Sequence, residues 1–282
     1  MAPRGNRRLT VNYRHAFHAG GFADCVKHAL LVWLMDSLLT KPSPIFVLDT
    51  HAGAGQYDLD AAPARRTGAW RKGIALLLDA PPRPLGRYVG LVKELGLYPG
   101  SPALIGAMLR PGDRLACCEL HPEEVADLRR RFAGKTQIAV HFRDGWEALG
   151  GLLPPKERRG LVLIDPPFES PDEFADMAAG LAKGCARFPT GVFAAWYPIK
   201  HRAPVRNFRV ALHESGIPDI VAAELCLRRP LDPDRLNGCG LAVINPPFRF
   251  EDDVPLILEA LLQRLGANED GSAIAVSRLA DE

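Results

Sequence analysis

Short apolar runs alternate along this chain with segments of helical periodicity, a pattern that few folds accommodate. Residues 45–49 (IFVLD), 114–119 (RLACCE), 137–142 (QIAVHF), 161–165 (LVLID), 191–197 (GVFAAWY), 220–227 (IVAAELCL) and 240–245 (GLAVIN) have the length and composition of core strands. Helices are expected between them. Residues 122–132 open on acids, 172–187 follow Pro171, and 204–216 stop on a glycine. Strands and helices in alternation build a doubly wound α/β sheet. Residues 228–239 carry Pro230, Pro233 and Gly238 without a helical period, so the last two strands are expected to pair antiparallel at the sheet edge. The expectation is a seven-stranded, mostly parallel sheet with an antiparallel last strand.

One stretch departs from the rhythm. About 60 residues separate Gly55 from the second strand, where such a fold needs one helix. Residues 68–80 and 84–96 are both helical in pattern, so 56–100 are read as an inserted helical subdomain, with 1–55 and 101–282 forming the main domain. At 282 residues and 47% hydrophobic, the chain is long enough for one large core with such an insertion. Neither a signal-peptide pattern nor a run of membrane-spanning length is visible, and a cytoplasmic monomer without membrane association is expected. The six cysteines form no C-x-x-C pair, which points to reduced, buried thiols rather than disulfides or zinc. A net charge of +2 permits nucleic-acid binding without arguing for it; local clusters such as Arg65, Arg66, Arg71 and Lys72, or Arg202, Arg206 and Arg209, are candidate phosphate contacts.

The chemistry lies where strands end. Asp49 to Gly55 (DTHAGAG), including His51 and Gly53, is a small-residue turn through which backbone amides can approach a ligand. Asp165-Pro166-Pro167-Phe168 follows the fourth strand and suits one task. Adenine's amino group is a poor nucleophile because its lone pair is delocalised into the ring. With Asp165 accepting one amino hydrogen and the Pro166 carbonyl the other, the nitrogen can pyramidalise toward a methyl donor. The prolines stiffen that carbonyl, and Phe168 offers a face for an extruded base. Glu119, ending the second strand, suits a pair of ribose hydroxyls, and Asp144, after the third, suits an adenine amino group. A second copy, Asn245-Pro246-Pro247-Phe248, follows the seventh strand; an antiparallel strand delivers its end to the opposite edge, so this copy is read as scaffold. The histidine-rich segment YRHAFHAGGFADCVKHALL fits no zinc spacing and is read as a lid, with Lys27 and His28 positioned to meet a cofactor's carboxylate. No metal is expected.

Six parallel strands and one reversed strand, with motifs in this order, make a Rossmann-like class I methyltransferase fold. Tyr13-Arg14-His15, Phe17-His18-Ala19-Gly20, Asp24, Lys27-His28, the DTHAGAG turn, Tyr98-Pro99-Gly100-Ser101-Pro102, Glu119-Leu120-His121-Pro122 and Asp165-Pro166-Pro167 follow one another along nearly the whole chain. Together they resemble the bacterial large-subunit ribosomal RNA methyltransferases of J type, which modify one adenine of 23S RNA. The resemblance implies S-adenosylmethionine as methyl donor, 23S ribosomal RNA as partner, and action before ribosome assembly is complete. By position it implies Asp165 as catalytic acceptor, Tyr13 as a contact to the target adenosine, and Lys27, His28, His51, Ser101, Glu119, Asp144 and Gly145 in the cofactor pocket. The family usually has tyrosine where this chain has Phe168, which keeps the ring and loses a hydroxyl. Two other readings remain: a DNA adenine methyltransferase, for which no separate target-recognition domain is visible, and a non-catalytic RNA chaperone, for which Asp165 would be dispensable.

Overall fold

Successive side chains of a strand point to opposite faces, and the first long strand divides the interior in two by this rule. In β1 (Phe46–Asp49), Val47 joins one apolar cluster while Phe46 and Leu48 join another on the far side of the sheet. Strand β6 (Gly160–Ile164) repeats the division, with Leu161 and Leu163 on the first face and Val162 and Ile164 on the second. Strands buried on both faces read as continuous apolar runs, which is why they were legible.

The computed structural model describes residues 15–266 and 270–281. Strands β2 (Gln56–Tyr57) and β3 (Tyr98–Pro99) form a small antiparallel ribbon. The others, β4 (Arg114–Glu119), β5 (Ile138–Phe142), β7 (Val192–Ile199), β8 (Ile220–Cys226), β9 (Gly238–Ile244) and β10 (Ala273–Ala280), join β1 and β6 in an eight-stranded sheet of order β10-β8-β9-β7-β6-β1-β4-β5. The run from β7 to β5 is parallel. Strand β9 enters antiparallel between β7 and β8, and β10 pairs antiparallel with β8.

Two expectations about the sheet need correction. It has eight strands rather than seven, and two of them, β9 and β10, are reversed. The missed strand, AIAVSRLA, is an edge strand whose residues are exposed or half-buried throughout, so it lacks the apolar run that marks a central strand. It also takes the edge position expected for the β8 and β9 pair.

Helices α1 (Phe22–Leu39), α4 (Gly86–Leu95), α5 (Ser101–Met108) and α10 (Phe250–Leu265) cover the first face. Helices α7 (Gly145–Gly151), α8 (Glu173–Arg187) and α9 (Arg202–His213) cover the second. Helix α1 is apolar nearly all round, as suits a helix packed against α5, α10 and α4 as well as the sheet. Helix α6 (Pro122–Arg131) opens on Glu123 and Glu124 and closes on Arg129 to Arg131, charges that suit the two ends of its dipole.

Between β2 and β3 lie α2 (Ala62–Thr67), α3 (Ala75–Leu78) and α4, with 3-10 turns at Ala69–Lys72 and Arg83–Leu85. The single helix expected over 68–80 is thus two short pieces. Gly73 breaks it because a Cβ there would lie 2.0 Å from the Gly20 carbonyl, so the backbones meet at a contact only glycine permits. Ile74, Leu77, Tyr88 and Val92 of this stretch enter the same apolar cluster as α1 and α10. None of the described helices is long and apolar enough to cross a membrane.

Candidate active site

Strands β1, β4, β5 and β6 run in parallel, so their carboxyl ends bring Asp49, Glu119, Asp144 and Asp165 to one edge of the sheet. From β1 the order continues outward in both directions, through β4 on one side and β6 on the other, and the turn after β1 occupies that switch point.

This turn is held from several sides. Gly53 N donates to Glu119 Oε2 at 2.8 Å, while Leu120 N and His121 N donate to Oε1, each at 2.7 Å. Glu119 is thereby fixed in orientation. Thr50 Oγ1 donates to the Leu163 carbonyl at 2.9 Å and lies 2.8 Å from His51 Nδ1. Since the hydroxyl proton is committed, His51 donates from Nδ1 and keeps Nε2 as an acceptor. Burial lowers the His51 pKa against the pull of Glu119, Asp165 and Asp144, so a neutral ring is favoured. Its ring meets Trp146 edge-on at 5.3 Å. Asp144 caps α7 by accepting from Trp146 N at 2.7 Å. Gly145 is required beside it, because a Cβ would stand 2.3 Å from the Thr50 carbonyl.

A polar chain crosses from α1 to β6. Lys27 Nζ reaches Asp165 Oδ2 at 2.5 Å and Asp24 Oδ1 at 3.1 Å, with both Lys27 and Asp24 only 5% exposed. Asp24 Oδ2 accepts from Gly20 N at 3.0 Å and meets His15 Nε2 at 2.8 Å. Burial pushes the Asp24 carboxyl upward, but His15 and Lys27 outweigh it and hold the pKa well below the usual carboxylate range. His28, one position along α1, is turned into the core. Its Nδ1 lies 3.0 Å from Tyr98 Oη, and Nε2 is buried without a partner among the described residues. It offers a ligand a hydrogen-bonding nitrogen rather than a charge.

That burial has a measurable consequence. Desolvation drives the His28 pKa from 6.5 down to about 3, beyond what Asp24 restores. Between those values the unfolded chain binds a proton that the fold refuses, so stability falls as pH is lowered through this window. The loss from this residue is expected to approach 1.4 kcal/mol, or about a tenfold change in the folding constant, per pH unit. Denaturant titrations of wild type and His28→Asn at pH 7 and pH 4.5 test it; the variant should lose less stability on acidification, and parallel losses would refute it.

Asp49 is a site residue that the motif reading did not single out. It is fully buried, Oδ2 accepts from Ser101 Oγ at 2.6 Å, and Oδ1 has no partner among the described residues. Burial raises its pKa to about 7 despite the Ser101 hydrogen bond. Its available signal was positional, an acid closing β1 directly before the small-residue turn.

Asp165 directly follows β6, and Pro166 behind it is buried. Phe168 adopts a left-handed φ of 53°, rare outside glycine, and its half-buried ring is braced edge-on by Phe174 at 5.0 Å and Trp196 at 5.9 Å. Asn245 lies at the other end of the sheet, because β9 pairs antiparallel and sets Ile244 against Phe193 near the start of β7. The structure therefore gathers Lys27, His51, Gly53, Ser101, Glu119, Asp144, Gly145 and Asp165 around the strand ends. Tyr13 lies outside the described residues. The six cysteines are free thiols, and no three His, Cys, Asp or Glu side chains among the described residues converge as metal ligands.

A sheet in this order, with one of its two reversed strands inside the edge and acids after each of the first four parallel strands, defines the class I methyltransferase architecture. Within that class, the chain belongs to the family described as Ribosomal RNA large subunit methyltransferase D, RlmJ, whose model matches residues 42–277. It is 37% identical over 271 residues to the Ribosomal RNA large subunit methyltransferase J of Haemophilus influenzae, covering 93% of this chain and 96% of that protein. The Escherichia coli protein of the same description is 38% identical over 263 residues, covering 90% of this chain and 94% of its own. The crystal structure of protein LPL1258 from Legionella pneumophila superposes with a TM-score of 0.85 at 33% identity, covering 93% of this chain and 98% of that one.

Proposed function

We propose that this protein transfers a methyl group from S-adenosylmethionine to the N6 amino nitrogen of a single adenine in 23S ribosomal RNA, acting on free or incompletely assembled RNA. The coarse activity, S-adenosylmethionine-dependent methylation of ribosomal RNA, follows from the family; the base, the atom and the assembly state are the finer reading. The observation that carries it is Asp165-Pro166-Pro167-Phe168 at the carboxyl end of β6, across the switch point from the turn after β1.

The residues present suit the cofactor. Asp49 Oδ1 and His28 Nε2 are buried polar atoms without partners among the described residues, a state that a bound ligand relieves. Glu119 would hold the ribose hydroxyls, Asp144 the adenine amino group, and Lys27 the carboxylate, with His51, Gly53, Ser101 and Gly145 shaping the walls. When bound, S-adenosylmethionine supplies an electrophilic methyl on its sulfonium.

The protein's part is to present the nitrogen. Lys27 occupies Asp165 Oδ2, so the adenine amino group meets Oδ1 and gives its second hydrogen to the Pro166 carbonyl. Both hydrogen bonds would draw the lone pair out of conjugation and localise it on the nitrogen, and the proton released on methylation would leave by way of these acceptors to solvent. Phe168, fixed by Phe174 and Trp196, borders the extruded base, and Tyr13 contacts the adenosine. The rate gain comes from positioning and from exclusion of water. Residues 1–55 and 101–282 constitute the catalytic domain and 56–100 the inserted helical subdomain, in a cytoplasmic monomer that needs no metal.

Exposed Arg65, Arg66, Arg71 and Lys72 belong to a segment tied to the start of α1 by Ile74 N donating to the Gly20 carbonyl at 2.8 Å. They are assigned to RNA phosphates. Reversing all four charges is expected to weaken RNA binding and flatten its dependence on salt, each lost phosphate contact lowering the log–log slope by about 0.7–0.9. Binding isotherms at several salt concentrations measure this, and an unchanged slope refutes it. The reading as a whole is tested by initial rates of label transfer from S-adenosylmethionine to protein-free 23S RNA, assembled large subunits and duplex DNA. Protein-free RNA should be the preferred acceptor. Preference for DNA would overturn the substrate, and preference for assembled subunits would overturn the timing.

A further inference from the structure

The second Pro-Pro motif takes no part in methyl transfer, yet the structure holds it rigidly. Asn245 and Arg249 both adopt left-handed backbone, at φ 52° and 69°. Asn245 Nδ2 donates to the Pro189 carbonyl at 2.9 Å and the Gly191 carbonyl at 2.8 Å, and Phe250 N donates to the Pro247 carbonyl at 3.0 Å. This stiff turn displays Phe248 almost entirely to solvent, with 92% of its surface exposed. A scaffold turn has no need of a phenyl ring in water, and the other described aromatic side chains are far less exposed, Phe142 following at 57%.

Beside Phe248 lies a cleft of about 440 Å³ between the turn and the carboxyl end of α1, lined by Trp33, Lys41, Arg159 and Arg249 among others. Three cations face one carboxylate, Asp253, which Arg249 binds at 2.8 Å. Arg159 donates to neutral partners, the Leu38 carbonyl at 2.8 Å and the Ser43 hydroxyl at 3.1 Å, which hold it in place, while the nearby Asp113 carboxylate attracts it and Arg110 repels it. Lys41 is exposed. An exposed ring flanked by cations is the combination that recognises a base with its phosphates. A surface made for self-association would instead be depleted of charge at its centre.

We propose that this cleft is a second, non-catalytic RNA-binding site, which stacks one unpaired base of the ribosomal RNA on Phe248 and sets the adjoining phosphates against Lys41, Arg159 and Arg249. The choice of RNA as occupant rests on the ribosomal RNA reading above. The site lies at the amino ends of the parallel strands, so the five residues of β6, about 17 Å of strand, separate it from Asp165. The base it takes is not the base that is methylated. It belongs to another part of the same large substrate and contributes affinity and register.

The test is fluorescence anisotropy with a long protein-free 23S fragment, using wild type, Phe248→Ala, Phe248→Trp and Lys41→Glu, with wild-type methylation of the same fragment measured in parallel. Phe248→Ala should bind about 5- to 150-fold more weakly, the span set by loss of one stacked base, and Phe248→Trp should bind at least as well as wild type. Lys41→Glu should weaken binding most at low salt. Folding is not in question for a ring this exposed. Wild-type affinity in Phe248→Ala, on a fragment that wild type methylates, would overturn the second site while leaving the activity intact. Wild-type self-association in sedimentation that Phe248→Ala abolishes, with RNA affinity unchanged, would overturn it in favour of a contact between two copies. Failure of wild type to bind or methylate any RNA would remove the ribosomal RNA reading itself.

Discussion

Replacing Asp165 with alanine is expected to slow methyl transfer at saturating S-adenosylmethionine and RNA by about 10²–10⁴-fold, the range for removing a positioned acceptor or an electrostatic contact to the reacting group. Little else at the edge of the sheet can play this part. Glu119 is committed to three backbone amides and Asp144 to the cap of α7. Asp49 is buried behind Ser101. Asp165 alone combines partial exposure, 14% of its side chain, with an adjoining proline-fixed carbonyl. Asp165→Asn keeps an acceptor oxygen and should lie between alanine and wild type. Single-turnover rates report the chemical step directly, and a rate within tenfold of wild type for alanine would move the catalytic role elsewhere.

Replacing Lys27 with methionine is expected to destabilise the fold by about 3–5 kcal/mol, the cost of removing one partner from a buried ion pair. Lys27 serves two carboxylates at once, and its loss strands Asp24, itself 5% exposed, beside Asp165. Chemical denaturation measures the effect. The double variant Asp24→Asn with Lys27→Met should recover part of the loss, because the stranded charge is then gone. A single variant that melts like wild type would show that the His15–Asp24 contact suffices. The same substitution is expected to weaken S-adenosylmethionine binding, since Lys27 is the cation proposed to meet its carboxylate.

Much of this was legible in the residues, and the reasons are physical. Central strands such as β1 and β6 are buried on both faces, so their composition alone betrays them. Parallel order then dictates that residues closing β1, β4, β5 and β6 converge, which is why Asp165, Glu119 and Asp144 could be associated across more than forty positions of chain. Strand β10 was invisible because an edge strand needs no such run. The break at Gly73 was invisible because its cause is a backbone contact with Gly20, distant in sequence. The same limit applies to the bridging of Asp24 and Asp165 by Lys27: a helical register shows that Asp24 and Lys27 are neighbours, but only packing of α1 against the strand ends brings Asp165 to them. Phe248 shows the converse. Its motif was correctly expected at the far edge of the sheet, yet sequence could not reveal that the ring would stand in solvent.

If the strand-end site presents the exocyclic nitrogen of one adenine, the product nucleoside identifies it. Protein-free 23S RNA methylated with labelled S-adenosylmethionine can be digested completely for nucleoside analysis and partially for mapping. The label should be recovered as N6-methyladenosine from one position. Label on a ring nitrogen, a ring carbon or a ribose hydroxyl would contradict the role given to Asp165 and the Pro166 carbonyl, because none of these offers the two amino hydrogens that this pair of acceptors is built to take, and label on the exocyclic amine of guanine or cytosine would contradict the choice of adenine.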